Sequence, residues 1–308
     1  MPATRNVIIF GATGAVGSSA ALKAHQEGAK VSLAMRDPSK PIPILSGISA
    51  ERVQADLTNP ETIRAAVQQT GAKFAFIYAA FGTSDHMRSS IEALKEAGIE
   101  FVVFLSSYAI DSSPHRGDAR AVPPSDFIPW VHAQIELVLE DVFGKDAFVA
   151  VRPAYFASNL HMMKNDIVKE DAVVRHANPE AEFDWISPYD IGQVAGAVLA
   201  HSTNGHIVGL VGPERMSVRD ALGHVGRVLG KEIKVTTIPK EEAVDGFKQH
   251  GIPPPVAEWL VNDVTETPGA FFRAPTYQEA AGNIQKYTQK DPVRFEQWIA
   301  ENKQMLEA

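Results

Sequence analysis

Three glycines at three-residue spacing, Gly11, Gly14 and Gly17, stand directly behind the apolar run Val7 to Phe10 and ahead of an alanine-rich stretch from Ser18 to Glu27. The apolar run reads as a buried strand and the stretch behind the glycines as a helix, so the glycines occupy a strand-to-helix turn. That turn needs the backbone angles that glycine permits at Gly11, a main chain that a ligand can approach at Gly14, and a helix lying close on the strand at Gly17. With Thr13, Ala15 and Val16 between them, the segment offers main-chain N–H groups at a helix N-terminus, where the macrodipole favours an anion. The pattern predicts a cradle for the pyrophosphate of a dinucleotide.

Strand-like and helix-like stretches then alternate, as they do in a parallel sheet covered by helices on both faces. Further strands are predicted at Ala29 to Met35, Arg52 to Ala55, Lys73 to Ala79, Glu100 to Ser106 and Ala147 to Arg152. Helices are predicted from Ser84 to Ala97, closed by Gly98, and from Phe127 to Phe143, closed by Gly144, while Asn59 and Pro60 read as a cap and first residue. Residues 1–152 are therefore expected to form an α/β doubly wound parallel sheet of the Rossmann type, with six strands. From Pro153 the texture changes. Ile207 to Val211 and Ile233 to Ile238 read as isolated strands, Val218 to Val228 as a helix, and Pro292 to Leu306 as a terminal amphipathic helix. Residues 153–308, which include the cluster Pro253-Pro254-Pro255, are expected to form a smaller C-terminal α/β substrate region, partly interleaved with the core. The stretch Asp111 to Asp126, carrying Pro114, Gly117, Pro123 and Pro124, reads as a mobile connection or lid.

Length and composition narrow the chemistry. With 308 residues, 45 % of them hydrophobic, the chain can bury a sizeable core. It has no cysteine, which excludes disulfides, thiolate metal sites and a cysteine nucleophile. A formal charge of −8 argues against a nucleic-acid groove. No apolar run approaches the roughly 20 residues that span a bilayer, and no leader-like stretch opens the chain, so no membrane partner and a cytoplasmic location are expected. No metal site is expected either: His161, beside Met162 and Met163, has no carboxylate or second histidine at ligand spacing.

The second strand ends in Arg36, about where an acidic residue would grip the ribose hydroxyls of NAD. Its planar guanidinium suits a 2′-phosphate instead, which points to NADP(H) as the cofactor. Asp37 keeps the alternative open, because a one-residue shift would bring its carboxylate to the ribose, and Arg36 also reads as a solvated loop residue. Asp56 and Leu57, behind the third strand, offer a carboxylate and a backbone to the adenine edge.

These segments occur together with Ala79-Ala80-Phe81-Gly82, Leu105-Ser106-Ser107 and Arg152-Pro153-Ala154-Tyr155-Phe156-Ala157-Ser158-Asn159, in an order that resembles the NmrA-like group of atypical short-chain dehydrogenases/reductases. The resemblance runs from residue 5 to about 240 and includes Ile186-Ser-Pro-Tyr-Asp190-Ile-Gly192, similar to that family's contact between substrate region and core. It implies an NADP(H)-binding Rossmann domain, a small C-terminal domain and a cleft between them, with Ala79, Ala80 and Phe81 near the cofactor. The family is similar in fold to both working reductases and inactive redox sensors.

Reductases of the wider superfamily carry Tyr-x-x-x-Lys, in which the lysine cation lowers the tyrosine pKa for proton transfer. None of the six tyrosines here has a lysine four residues on, and no lysine lies between Lys95 and Lys145. In related sequences a lysine lies four residues before a glutamate on the helix in question, so His132, four before Glu136, takes its place. His132 then holds the nicotinamide ribose, acts as a general acid near neutrality, or simply pairs with Glu136 on the helix surface. Ser107 follows the fifth strand at the ligand edge and can orient a substrate oxygen, or cap a turn. Tyr155, behind the sixth strand at the same edge, can donate a proton, stack on the nicotinamide, or serve as a core aromatic. Tyr108 is a lesser candidate on the same grounds, and the run His115-Arg116-Gly117-Asp118-Ala119-Arg120 reads as a flap over the substrate or a solvated loop.

Three functions follow as expectations. One is an NADP(H)-dependent oxidoreductase that transfers hydride to a small, largely apolar carbonyl, enone or quinone. Another is a catalytically weak NADP(H)-binding redox sensor acting on a protein partner, and a third is a non-redox isomerase or cyclase on the same fold.

Overall fold

The computed structural model describes residues 4–112 and 115–307; Pro114 of the expected lid lies outside them. Strand β1 (Asn6–Phe10) leads through the glycine turn into α1 (Ala15–Gln26), followed by β2 (Lys30–Met35), β3 (Glu51–Gln54), α2 (Pro60–Thr70) and β4 (Phe74–Tyr78). Then come α3 (Arg88–Glu96), β5 (Phe101–Leu105), α4 (Phe127–Phe143) and β6 (Phe148–Pro153). The remainder comprises α5 (Lys164–Ile167), β7 (Val173–His176), β8 (Glu182–Phe183), α6 (Pro188–His201) and β9 (His206–Leu210). After these come β10 (Met216–Ser217), α7 (Val218–Leu229), β11 (Lys234–Thr237), α8 (Lys240–Gln249), α9 (Pro254–Thr265), α10 (Tyr277–Thr288) and α11 (Phe295–Glu301).

The main sheet has seven strands in the order β3-β2-β1-β4-β5-β6-β9, every neighbouring pair parallel. Parallel strands must be buried on both faces, and β1 shows it: Val7 and Ile9 pack with α1 and α6, Ile8 and Phe10 with α2, α3 and α4. The seventh strand corrects the reading of Ile207 to Val211 as isolated. β9 extends the sheet beyond β6, with Ala150 opposite Ile207 and Val151 opposite Val208. A short β-rich stretch hides this kind of partner, because pairing across some fifty residues leaves no local pattern.

Small residues bring α1 and α6 together. A Cβ on Gly192 would lie 2.4 Å from the Ser19 Cβ, and one on Gly196 would lie 2.4 Å from the Ala20 carbonyl oxygen, so only glycine permits this backbone approach. The Ser19 hydroxyl donates to the Tyr189 carbonyl at 2.7 Å, locking the seam. Asp190 at the head of α6 accepts from the Val293 amide at 2.8 Å and so joins the core to the C-terminal region. That region surrounds its own apolar cluster, with Phe183, Trp185, Leu222, Phe295 and Trp298 buried in it.

Several element ends differ from expectation for local reasons. α1 starts at Ala15, not Ser18, because extended Gly14 already serves as its N-cap. α3 starts at Arg88 rather than Ser84: Asp85 accepts from the Met87 and Ser89 amides, and His86 and Met87 take left-handed angles in the turn. The terminal helix breaks at Asn302, whose side-chain amide donates to the Trp298 carbonyl, and a 3-10 turn from Lys303 to Leu306 follows. Asn59 caps α2 as expected, accepting from Glu61 N at 3.1 Å with Pro60 at its first position.

Candidate functional site

The cradle is built by close approach. Gly11 has φ +71°, and a Cβ there would lie 2.5 Å from Tyr78 Cε1. A Cβ on Gly17 would lie 2.4 Å from the Gly11 carbonyl oxygen, so the first turn of α1 rests on the preceding loop with no room for a side chain. Gly14 N donates to that same carbonyl at 2.9 Å, which closes the loop. Thr13, Gly14 and Ala15 are exposed while Val16 and Gly17 are buried. The first-turn amides, which have no intrahelical acceptor, therefore face outward on a rigid base. Such a base offers main-chain donors to an anion.

Arg36 stands exposed at the end of β2. Its neighbour Asp37 is committed elsewhere: Oδ1 accepts from Ser39 N at 3.0 Å and Ser39 Oγ at 2.6 Å, and these bonds hold the carboxyl below its usual range. Asp56 Oδ1 likewise accepts from Thr58 N at 2.9 Å and Thr58 Oγ1 at 2.8 Å. Those bonds, with the charge of Arg36 as a smaller contribution, hold Asp56 below its usual range. Leu57 is buried, and its carbonyl accepts from Ser90 Oγ at 2.6 Å. One residue missed in the sequence belongs here: Tyr78, the last of β4, is 38 % exposed and lies over Gly11, with the charges of Arg36 and Asp56 both acting on it. Its place at the C-terminal end of a parallel strand, the edge where ligands lie in such sheets, was the available signal.

Beyond Tyr78 the chain continues through half-buried Ala79 and Ala80 to Phe81, which is 48 % exposed. Phe81 meets the His132 ring edge-on, centroids 5.6 Å apart. His132 Nδ1 lies 2.8 Å from the Ile128 carbonyl oxygen, so this nitrogen carries the proton. Burial lowers the imidazole pKa, outweighing that bond and the charge of Glu136. The ring is thus neutral with Nε2 as an acceptor, which suits a ribose hydroxyl and not proton donation near neutrality. Pairing with Glu136 does not occur. Glu136 is taken by Arg152 and Ser106.

That attachment is a buried polar cluster which the sequence reading overlooked. Arg152 on β6, 1 % exposed, donates through Nε and Nη2 to Glu136 at 2.9 and 2.5 Å, and through Nη1 to Asp111 at 3.0 Å and the Gly117 carbonyl at 3.1 Å. Ser106 Oγ adds a 2.5 Å bond to Glu136. The Asp111 carboxyl is raised, burial outweighing Arg152. The stretch expected to be a free lid is thereby fastened at two points, and His115, also buried, bonds Asp126 at 2.6 Å. The signal was a lone arginine inside an otherwise apolar strand, where a buried charge demands partners.

Ser107 is half-buried and caps a short turn, its Oγ accepting from Ala109 N at 3.3 Å. Tyr108 is fully buried, its hydroxyl 2.9 Å from Thr276 Oγ1, and burial raises its pKa to about 12. Tyr155 stacks on Phe183 with centroids 3.8 Å apart and meets Trp185 edge-on at 5.1 Å. Burial pushes its phenol well above the usual range, with the charge of Asp263 adding to the effect. Ser107 and Tyr155 thus leave neighbouring parallel strands at the same edge, with His132 toward β4, and among the described residues no hydrogen bond joins any two of the three. No grouping of three or more His, Cys, Asp or Glu able to hold a metal occurs among the described residues, and no described helix is long and apolar enough to cross a membrane.

Comparison with known proteins extends this picture to the whole chain. The nitrogen metabolite regulation-like protein bik4 of Gibberella fujikuroi is 36 % identical over 97 % of this chain and 96 % of its own. Among solved structures, an NADPH-dependent quinone oxidoreductase from Escherichia coli, complexed with NADPH, superposes with a TM-score of 0.72 at 18 % identity, covering 97 % of this chain and 99 % of that one. Nmra, a negative transcriptional regulator solved in complex with NAD, gives 0.70 at 15 % identity over 97 % and 95 %. The NmrA-like family profile matches residues 3–271, which takes in the glycine cradle, the polar cluster on Arg152 and most of the C-terminal region. A cradle of main-chain amides on a seven-stranded parallel sheet and this match over most of its length establish that the chain belongs to the NmrA-like family.

Proposed function

We propose that this chain is an NADP(H)-dependent oxidoreductase that passes hydride to a small, largely apolar carbonyl, enone or quinone. The observation that carries the reading is the outward-facing first turn of α1, seated without side-chain space on Gly11, with Arg36 exposed on the same sheet edge. The residues present fit the cofactor: the amides of Thr13, Ala15 and Val16 on either side of Gly14 would hold the diphosphate, Arg36 a 2′-phosphate, and Asp56 the adenosine end. Solved structures of the same fold described as a quinone oxidoreductase with NADPH and as a regulator with NAD support a nicotinamide dinucleotide here.

When bound, the cofactor supplies a hydride to an electrophilic carbon. His132, neutral and accepting at Nε2, would orient a ribose hydroxyl, and Phe81 beside it would keep water from that face. Ser107 and Tyr155 would donate hydrogen bonds to the substrate oxygen, and one hydroxyl would give that oxygen a proton as its negative charge develops, solvent then restoring it. Tyr155 keeps its proton at neutral pH, since burial, with the charge of Asp263 adding to it, raises its pKa.

A second reading is favoured by that same feature. With its phenol pKa raised by burial, and no cation acting on it among the described residues, Tyr155 is a weak proton source, which suits a sensor whose partner affinity follows the NADP⁺/NADPH ratio. Titration calorimetry with NADPH, NADP⁺ and NADH, followed by NADPH oxidation with menadione and a panel of enones, separates the two. Turnover supports the reductase. Binding without turnover, together with a state-dependent change in assembly, supports the sensor, and no binding of any dinucleotide overturns both.

A further inference from the structure

Asp184 lies just past β8 and is 1 % exposed, yet it takes no part in the chemistry described above. Its two oxygens collect amides from two different chain segments at the ends of the sheet. Oδ1 accepts from Tyr155 N at 2.8 Å, behind β6, and Oδ2 from Gly212 N at 2.5 Å, behind β9. The packing there leaves no slack: a Cβ on Gly212 would lie 2.1 Å from the Asp184 carbonyl oxygen, Ile186 N donates to the Tyr155 carbonyl at 2.9 Å, and Trp185 is left-handed at φ +48°. Among the described residues no cation forms an ion pair with Asp184, an unusual state for a buried carboxylate.

We propose that Asp184 is a positioning residue for Tyr155, its carboxylate fixing the Tyr155 backbone against the loop behind β9 so that loss of its charge moves the tyrosine. The inference rests on the reading of Tyr155 as a substrate-facing hydroxyl. An ionised carboxylate accepts strongly at both oxygens, whereas a protonated one carries an O–H on one of them and accepts there only weakly. One of the two amide bonds is then weakened. Because Phe183 and Trp185 hold the ring while Asp184 holds the backbone, a change at the backbone rotates the phenol against its aromatic seat. Burial raises the Asp184 carboxyl to about 7 despite the two amide bonds, which places the change near neutrality. The ionisable groups facing Asp184 are Tyr108 and Tyr277, both shifted upward, and Arg215 acts on Tyr277. Tyr155 itself also senses Asp263 on α9, raised to about 7 by burial with Asp126 adding to it.

The test is the NMR signal of ring-labelled tyrosine in the full chain, with Tyr155 assigned by Y155F, followed between about pH 5.5 and 8.5. The expected result is an inflection in the Tyr155 signal of which the Asp263 part is removed in Asp263→Asn, while the part that remains there disappears in Asp184→Asn. A flat wild-type signal, an inflection wholly lost in D263N, or one unchanged in D184N overturns the proposal. Should D184N fail to fold, the wild-type and D263N titrations still decide. In turnover with NADPH and menadione, D184N should lose the matching inflection in kcat while the KM for NADPH stays within about two-fold. If the chain shows no turnover, the oxidoreductase reading fails, yet the Tyr155 signal still answers for Asp184.

Discussion

Replacing Gly17 with alanine tests the cradle most directly. The added Cβ would lie 2.4 Å from the Gly11 carbonyl oxygen and 3.0 Å from its carbon, against an ordinary contact of 3.4 Å or more. Both atoms are backbone, so the loop must retreat by about 1 Å, and overpacking of this kind costs about 1–3 kcal/mol. For a chain of 308 residues this lowers the melting temperature by roughly 2–5 °C. The larger effect falls on binding. The retreating loop carries the amides meant for the diphosphate, and loss of one or two charge-assisted hydrogen bonds, about 1.5–3 kcal/mol, weakens NADPH by about ten- to hundred-fold. Titration calorimetry paired with thermal unfolding measures both. Gly223→Ala is the control: it lies in α7, its nearest foreign atom is Arg227 Nη1 at 4.0 Å, and it should bind NADPH normally while gaining about 0.5–1 kcal/mol. Native affinity and melting temperature in G17A would refute the reasoning.

Other consequences are equally concrete. Arg36→Ala should weaken NADPH by about ten-fold or more while leaving NADH within about two-fold, and equal losses for both would assign the 2′-phosphate elsewhere. Nitrogen-15 NMR at pH 6.5 should find His132 neutral and protonated at Nδ1; a cationic ring there would restore it as a candidate acid. Arg152→Met leaves Glu136 and Asp111 buried without their cation and should cost about 3–5 kcal/mol, read as a melting temperature lower by roughly 5–8 °C, with adding Glu136→Gln and Asp111→Asn recovering most of it. Burial raises Asp190 to about 6 and Asp184 to about 7, so the folded chain keeps protons that the unfolded chain has already released. Their contribution to stability is therefore fully present below about pH 4 and is lost as pH rises through 6 and 7; D190N should flatten the lower part of that fall in melting temperature.

The cradle was legible because its demands are local. Gly14 and Gly17 answer to the Gly11 carbonyl a few residues back, and Asn59 caps α2 through a bond to Glu61. β9 was misplaced because its partner β6 lies far back in the chain, and an exposed edge position such as Ile207 carries no alternation to give it away. The fastened stretch behind β5 escaped notice for the opposite reason: its prolines and glycine are local signs of mobility, but Arg152, from another strand, supplies the bonds that hold it. At the reaction edge the types were visible and the protonation states were not. His132 near Glu136 suggested an ion pair until Arg152 claimed the carboxylate, and nothing near Tyr155 in sequence foretells Asp184 or Asp263.

The glycine seam between α1 and α6 couples parts of the molecule that are distant in sequence. Because Gly192 and Gly196 let the two backbones touch, the helix that begins at the cradle cannot slide without dragging α6, and α6 grips Val293 through Asp190. A displacement at the head of α1 is thus passed through α6 toward the C-terminal region.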